Sequence, residues 1–127
     1  MTTQIETTQA PAAIGPYSQA ILAAPFLYTS GQLGLDPVTG EMVEGGVEAQ
    51  AVQVLRNLAA ILHEAGLSFA DVVKTTIFLT DLGDFVRVNE IYAQHFGPVF
   101  PARSTVQVSR LPREAVIEIE VVARQRS

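Results

Sequence analysis

Cysteine is absent from the 127 residues. That removes disulfides, thiolate zinc sites and cysteine nucleophiles in one step. Charge is scarce as well: Asp, Glu, Lys and Arg make up 17% of the chain, against about a quarter in an average soluble protein. The 13 acidic residues outnumber the 8 basic ones, the formal charge is −5, and no Lys/Arg cluster interrupts that balance. Nucleic acid and anionic membranes are therefore poor partners. No apolar run approaches the ~20 residues that span a bilayer, and the polar start over residues 1–6 lacks the basic flank of a signal peptide. The expectation is a soluble, cytoplasmic protein.

Familiar chemical motifs are missing too. There is no G-x-x-x-x-G-K-[ST] loop, no G-x-G-x-x-G, no G-x-S-x-G elbow, and the two histidines, His63 and His95, lie outside any H-E-x-x-H spacing. Metal, nucleotide and serine-hydrolase chemistries are set aside. What remains is metal-free, cofactor-free chemistry on a small acid, or binding alone.

Apolar residues account for 48% of the chain. One domain over residues 1–127 is long enough for a proper core. Residues 2–7 suit a short edge strand, residues 17–23 and 26–30 a pair of strands, and the glycine-rich stretch 31–40 a loop. From 46 to 65 the positions Ala51, Val54, Leu55, Leu58, Ile61, Leu62 and Ala65 follow helical spacing, with Gly66 as the stop. Residues 71–80 form a strand with bulk on both faces. Asp81 or Gly83-Asp84 caps a second helix, whose apolar side is Phe85, Val88, Ile91, Tyr92 and Phe96, with Asn89 beside it. His63 and His95 fall near helix ends, where they complement the dipole.

Residues 101–122 read as two strands around Leu111-Pro112-Arg113-Glu114, the signature of a hairpin. Pairing Arg110 with Ala115 sets Thr105 opposite Glu120 and Gln107 opposite Glu118. Arg103 and Glu118 then share a face, roughly 13 Å apart at ~3.3 Å per residue, with room between them for a small substrate and a water. A guanidinium fits a carboxylate bidentately, and a glutamate can orient water or move a proton. The plainer alternative stays open: Arg103 as an edge-strand charge, with Glu118 and Glu120 as the polar face of an amphipathic strand.

The element order predicts an α+β fold, a single mixed sheet with two helices on one face. Too little chain is left to cover the other face, so sheets of symmetry-related copies are expected to pack together, which also accounts for the apolar composition.

Four blocks carry a resemblance: residues 10–20 (APAAIGPYSQA), 30–32 (SGQ) with 36–40 (DPVTG), 81–85 (DLGDF) with Val88-Asn89, and 101–104 (PARS) through Leu111-Pro112 to 117–120 (IEIE). In order and spacing they resemble the RidA/YjgF family of reactive-intermediate deaminases, over nearly the whole chain. The resemblance implies a chorismate-mutase-like fold and a homotrimer with active sites in clefts between subunits. It also implies hydrolysis of 2-imino acids or enamines, such as 2-iminobutanoate and 2-iminopropanoate, to 2-oxo acids and ammonia without metal or cofactor.

By the same resemblance Arg103 binds the substrate carboxylate and Glu118 holds the attacking water. Gly31 and Thr105 offer backbone groups, Ser30 lines the pocket, and Tyr17, Phe85 and Asn89 close it, some from the neighbouring subunit. Many members carry cysteine where this chain has Thr105. The rival expectations are a non-catalytic trimer binding 2-oxo acids or similar metabolites, and a chaperone or translation-inhibiting ribonuclease.

Overall fold

The structure is a computed structural model and describes residues 2–126. Its strands are β1 (Thr2–Ile5), β2 (Ala20–Ala23), β3 (Phe26–Thr29), β4 (Val72–Leu79), β5 (Ala102–Gln107) and β6 (Ile117–Arg124), and its helices are α1 (Gly46–Glu64) and α2 (Phe85–Ala93). The strands form one mixed sheet in the order β1-β2-β3-β6-β4-β5, antiparallel throughout except for the parallel pair β4/β5. No helix among the described residues is long and apolar enough to cross a membrane.

Helix α1 forms where the apolar spacing predicts, and its stripe Val54, Leu55, Leu58, Ile61 and Leu62 is buried. It ends on Gly66 at φ 76°, where Leu67 N–H returns to the Leu62 carbonyl and Gly66 N–H to that of His63. This paired closure satisfies the last carbonyls and favours glycine. Strand β6 alternates, with Ile117, Ile119, Val121 and Ala123 buried while Glu118, Glu120, Val122 and Arg124 point the other way. The buried set shares one core with α1 and with Val88 and Tyr92 of α2, so both helices cover the same face. The opposite face is uncovered in the single chain and carries Tyr28, Phe78, Val106 and Val122 among its polar residues.

The expected hairpin does not form. Strand β4 lies between β5 and β6, pairing Thr75 with Arg103 on one side and with Val121 on the other. The bend at Pro112 is real, a short turn over Pro112–Glu114 in which Arg113 and Glu114 adopt positive φ. It belongs to a longer connection that steps across the end of β4, where Val108 N–H donates to the Leu79 carbonyl and Thr80 N–H to that of Val116. A strand with bulk on both faces is better placed inside a sheet than on its edge, and β4 takes that position.

Candidate active site

The new strand order changes the register on which Arg103 and Glu118 were expected to share a face. Side-by-side partners on neighbouring strands project to the same face. Arg103 stands beside Thr75, Glu118 stands beside Phe78, and these two β4 residues are three apart. Three is an odd number, so Arg103 leaves toward the helices and Glu118 toward the uncovered face. They line two different cavities.

The first cavity, about 300 Å³, is bounded by Asn89, Tyr92 and Ala93 of α2 and by Phe100, Pro101 and Arg103. The guanidinium carbon of Arg103 lies 5.4 Å from the centre of the Phe85 ring and 4.9 Å from that of Tyr92, both within the range of a cation–π contact. None of the ion pairs among the described residues involves it. Among the described residues strand β5 is one of the sheet's two edges, the other being β1. Because the Val108 amide points inward to Leu79, strand alternation turns the amides of Arg103 and Thr105 outward, along that edge. Among the described residues the buried Thr105 hydroxyl has no hydrogen-bond partner.

The second cavity, about 570 Å³, is mostly apolar and holds Tyr17, Ser30, Gly31 and Glu118 together with Gln19, Arg113 and aliphatic residues. The stretch carrying Ser30 and Gly31 is held from several directions. Ser30 Oγ donates to the Ser18 carbonyl at 2.6 Å, Gln32 exchanges backbone bonds with Ile119, and Asn57 of α1 donates to the Leu33 and Leu35 carbonyls. At Gly34 any Cβ would meet the Gln50 Cα at 2.8 Å, so helix and loop close directly on each other. At Gly31 a Cβ would lie 1.7 Å from Glu118 Oε2. The glycine is what lets the Glu118 carboxyl lie over this backbone. Burial raises the Glu118 pKa above its ordinary value, with the charge of Glu120 adding to the effect.

Sequence reasoning missed two contributors. Gln19 is buried, and its amide accepts from Thr7 N–H and donates to the Thr7, Ala10 and Pro11 carbonyls, tying down the loop that presents Tyr17. Tyr92 reads as one more member of the α2 stripe, yet its ring faces Arg103 and its hydroxyl meets Thr75 at 2.8 Å. A phenol in an otherwise hydrocarbon stripe was the signal, since its buried O–H must find a partner. The histidines stay outside both cavities: His63 is exposed on the last turn of α1, and His95 Nδ1 lies 3.0 Å from the Ile91 carbonyl.

The family described as Endoribonuclease L-PSP matches residues 7–125. Similarity to a human protein named 2-iminobutanoate/2-iminopropanoate deaminase is 54% identity over 121 residues, covering 95% of this chain and 88% of that protein. The chain belongs to this family, known as RidA/YjgF. Among solved structures, a putative endoribonuclease from Thermotoga maritima superimposes with a TM-score of 0.97 at 49% identity, covering 100% of both chains. The TdcF protein of E. coli, solved with bound serine, does so with 0.92 at 44%, covering 98% of this chain and 99% of that one. The sheet and two helices are thus a RidA/YjgF fold.

Proposed function

We propose that this RidA/YjgF protein hydrolyses reactive 2-imino acids and their enamine tautomers, 2-iminobutanoate and 2-iminopropanoate among them, to 2-oxo acids and ammonia. It does so in the cytoplasm, in clefts between the subunits of a homotrimer. The observation that carries the reading is the separation of Arg103 and Glu118 onto opposite faces of one chain. One half-site offers a cation with aromatic cover, the other a raised-pKa carboxyl in an apolar hollow. Joining the Arg103 half of one copy to the Glu118 half of the next makes a complete site and covers apolar surface at the same time.

The chemistry needs little more. The Arg103 fork takes the substrate carboxylate, aided by the outward amide of Thr105. The protonated C=N bond is already electrophilic. Glu118 accepts a proton from the water it holds, the water oxygen bonds to the imine carbon, and the C=N electron pair moves to nitrogen. Passing that proton to the amine leaves Glu118 an anion again. As the carbinolamine collapses Glu118 takes the hydroxyl proton, the C–N bond breaks, ammonia leaves and the C=O of the 2-oxo acid forms. Ser30, Gly31, Tyr17, Phe85 and Asn89 hold the substrate and keep bulk solvent out. The name of the human relative supports the substrate class, and the serine bound to the E. coli relative is a carboxylate of similar size.

The family description favours a second reading, an RNA-cleaving or translation-inhibiting protein. The acidic charge and two histidines outside the cavities weigh against it. A ligand-sensing trimer without turnover shares the same arginine. An imine generated in situ by an amino-acid-processing enzyme, with 2-oxo acid release timed, tests the proposal. Acceleration over spontaneous hydrolysis supports it, and an unchanged rate leaves the binder. Solution sizing should return three subunits; a stable monomer would remove the shared cleft.

A further inference from the structure

An arginine that must seize a free carboxylate faces a conflict. Left alone, its long side chain wanders among rotamers; tied to a protein carboxylate, it is oriented but already neutralised. Arg103 has no such carboxylate among the described residues. Phe85 and Tyr92 are seven residues apart, two turns of α2, or ~10.5 Å along its axis. The guanidinium carbon lies 5.4 and 4.9 Å from the two ring centres, about half that span from each, so it occupies the gap between those turns. Asn89 lies on the same helix face between them and borders the same cavity.

The Tyr92 ring is itself fixed. It stacks on Phe96 with centres 4.4 Å apart, and Phe96 packs edge-on against Phe69 at 4.8 Å. Its hydroxyl bonds to Thr75, which is fully buried amid Ile77, Ile119 and Val121. A Val and Phe pair would fill that space without any polar group to satisfy. The polar pair is better explained by what it holds in place.

We propose that Tyr92, locked by the Thr75 hydroxyl, is a positioning residue that with Phe85 forms an aromatic clamp, orienting the Arg103 guanidinium without neutralising it and so setting the selectivity of the site for carboxylate ligands. The inference rests on Arg103 being the carboxylate anchor of the proposed function. The rings hold the cation through their π faces, and its N–H donors remain available to the ligand.

The test measures binding of 2-oxobutanoate and of its uncharged amide by the full-length protein, together with imine turnover. Tyr92→Leu weakens binding of the acid about tenfold, leaves the amide unchanged, and raises KM with little change in kcat. Thr75→Val and Tyr92→Phe each weaken the acid about threefold, and combining them adds nothing beyond either alone. In an Arg103→Ala background, Tyr92→Leu has no further effect on the acid. Equal weakening of acid and amide, or a Tyr92→Leu effect that persists without Arg103, would show general damage to the fold and overturn the clamp. Aromatic variants that bind the acid like wild type, while Arg103→Ala does not, would also overturn it and leave the proposed function standing. Wild-type acid binding by Arg103→Ala would remove both. Tyr92→Phe keeps the ring and its packing, so the hydroxyl lock is tested even if the leucine variant folds poorly.

Discussion

Arg103 and Glu118 are separated by a single strand, yet their side chains leave opposite faces of the sheet. One chain therefore presents a cationic half-site at its β5 edge and a carboxyl half-site under the loop that carries Gly31. Under the proposed function, neither half works without a neighbouring copy.

That division makes complementation the most direct prediction. Arg103→Ala and Glu118→Gln proteins, each inactive alone, should recover activity when unfolded together and refolded as mixed assemblies. In a ring filled at random, about a quarter of the clefts receive both wild-type halves, so about a quarter of wild-type turnover is expected. Recovery no greater than the sum of the separate variants would place both groups in one subunit's site or outside it.

The two residues should also fail differently. Arg103→Ala loses acid binding and turnover together, with kcat/KM falling about a hundredfold or more. Glu118→Gln keeps most of the binding and loses about a hundredfold or more in kcat. Arg113 provides a control within the Glu118 cavity. Its Nη2 is committed to the Gly40 carbonyl at 3.1 Å and its side chain is exposed, so Arg113→Ala should keep near-wild-type turnover. A large loss there, with Arg103→Ala active, would move the anchor from one arginine to the other.

The environment of Glu118 sets a pH dependence. Its carboxyl is raised above the ordinary value by burial and then by Glu120, and the water-holding form is the anion, so kcat falls as pH drops through that raised value. Glu120→Gln removes the like charge and should move the acid limb of the pH–rate profile downward. The same shift affects stability with a definite sign. Protonated Glu118 suits the folded state, so its contribution is fully present below the ordinary value of 4.5 and is lost as pH rises through the raised one. Glu118→Gln, uncharged at every pH, should melt modestly higher than wild type at neutral pH, with the gap closing toward about pH 4. Thermal scans across that range would show it, and a variant less stable at neutral pH would contradict the assignment of burial as the cause.

Gly31→Ala tests the close approach itself. The added Cβ would meet Glu118 Oε2 at 1.7 Å, Cδ at 2.6 Å and Cγ at 2.9 Å. These are atoms of a side chain that can swing aside, so the fold should survive with a small drop in Tm. The carboxyl, however, is displaced from its position, and kcat should fall by about the same hundredfold as in Glu118→Gln. Combining the two substitutions should add little beyond either one. Wild-type turnover in Gly31→Ala would show that the position of the carboxyl over this backbone is immaterial.

Helix α1 was legible because seven apolar positions repeat at helical spacing and Gly66 closes the end, both local properties. The strands of β2 and β3 and the second helix were legible for the same reason, composition and punctuation acting over a few residues. The partner of β5 was not. The bend at Pro112 announces that the chain turns back, but a turn residue carries no information about a strand from elsewhere in the sequence entering the gap. Assigning β5 and β6 to each other placed Arg103 and Glu118 on one face; inserting β4 between them put the two on opposite faces, because side-chain direction alternates residue by residue. Tyr92 was hidden for a related reason: its helical spacing marks the core, and only the packed structure brings Thr75 to its hydroxyl and Arg103 to its ring.

By itself the sequence determined the elements, the α+β class and the residue types offered to a ligand, because hydrophobic period, capping and turn chemistry act over short range. Which strands lie side by side, and hence which face Arg103 and Glu118 take and which aromatic rings meet the guanidinium, was decided by tertiary structure alone. Strand pairing is a long-range choice, made by burying β4 on both edges, and a shift of one partner reverses the direction of every side chain that depends on it.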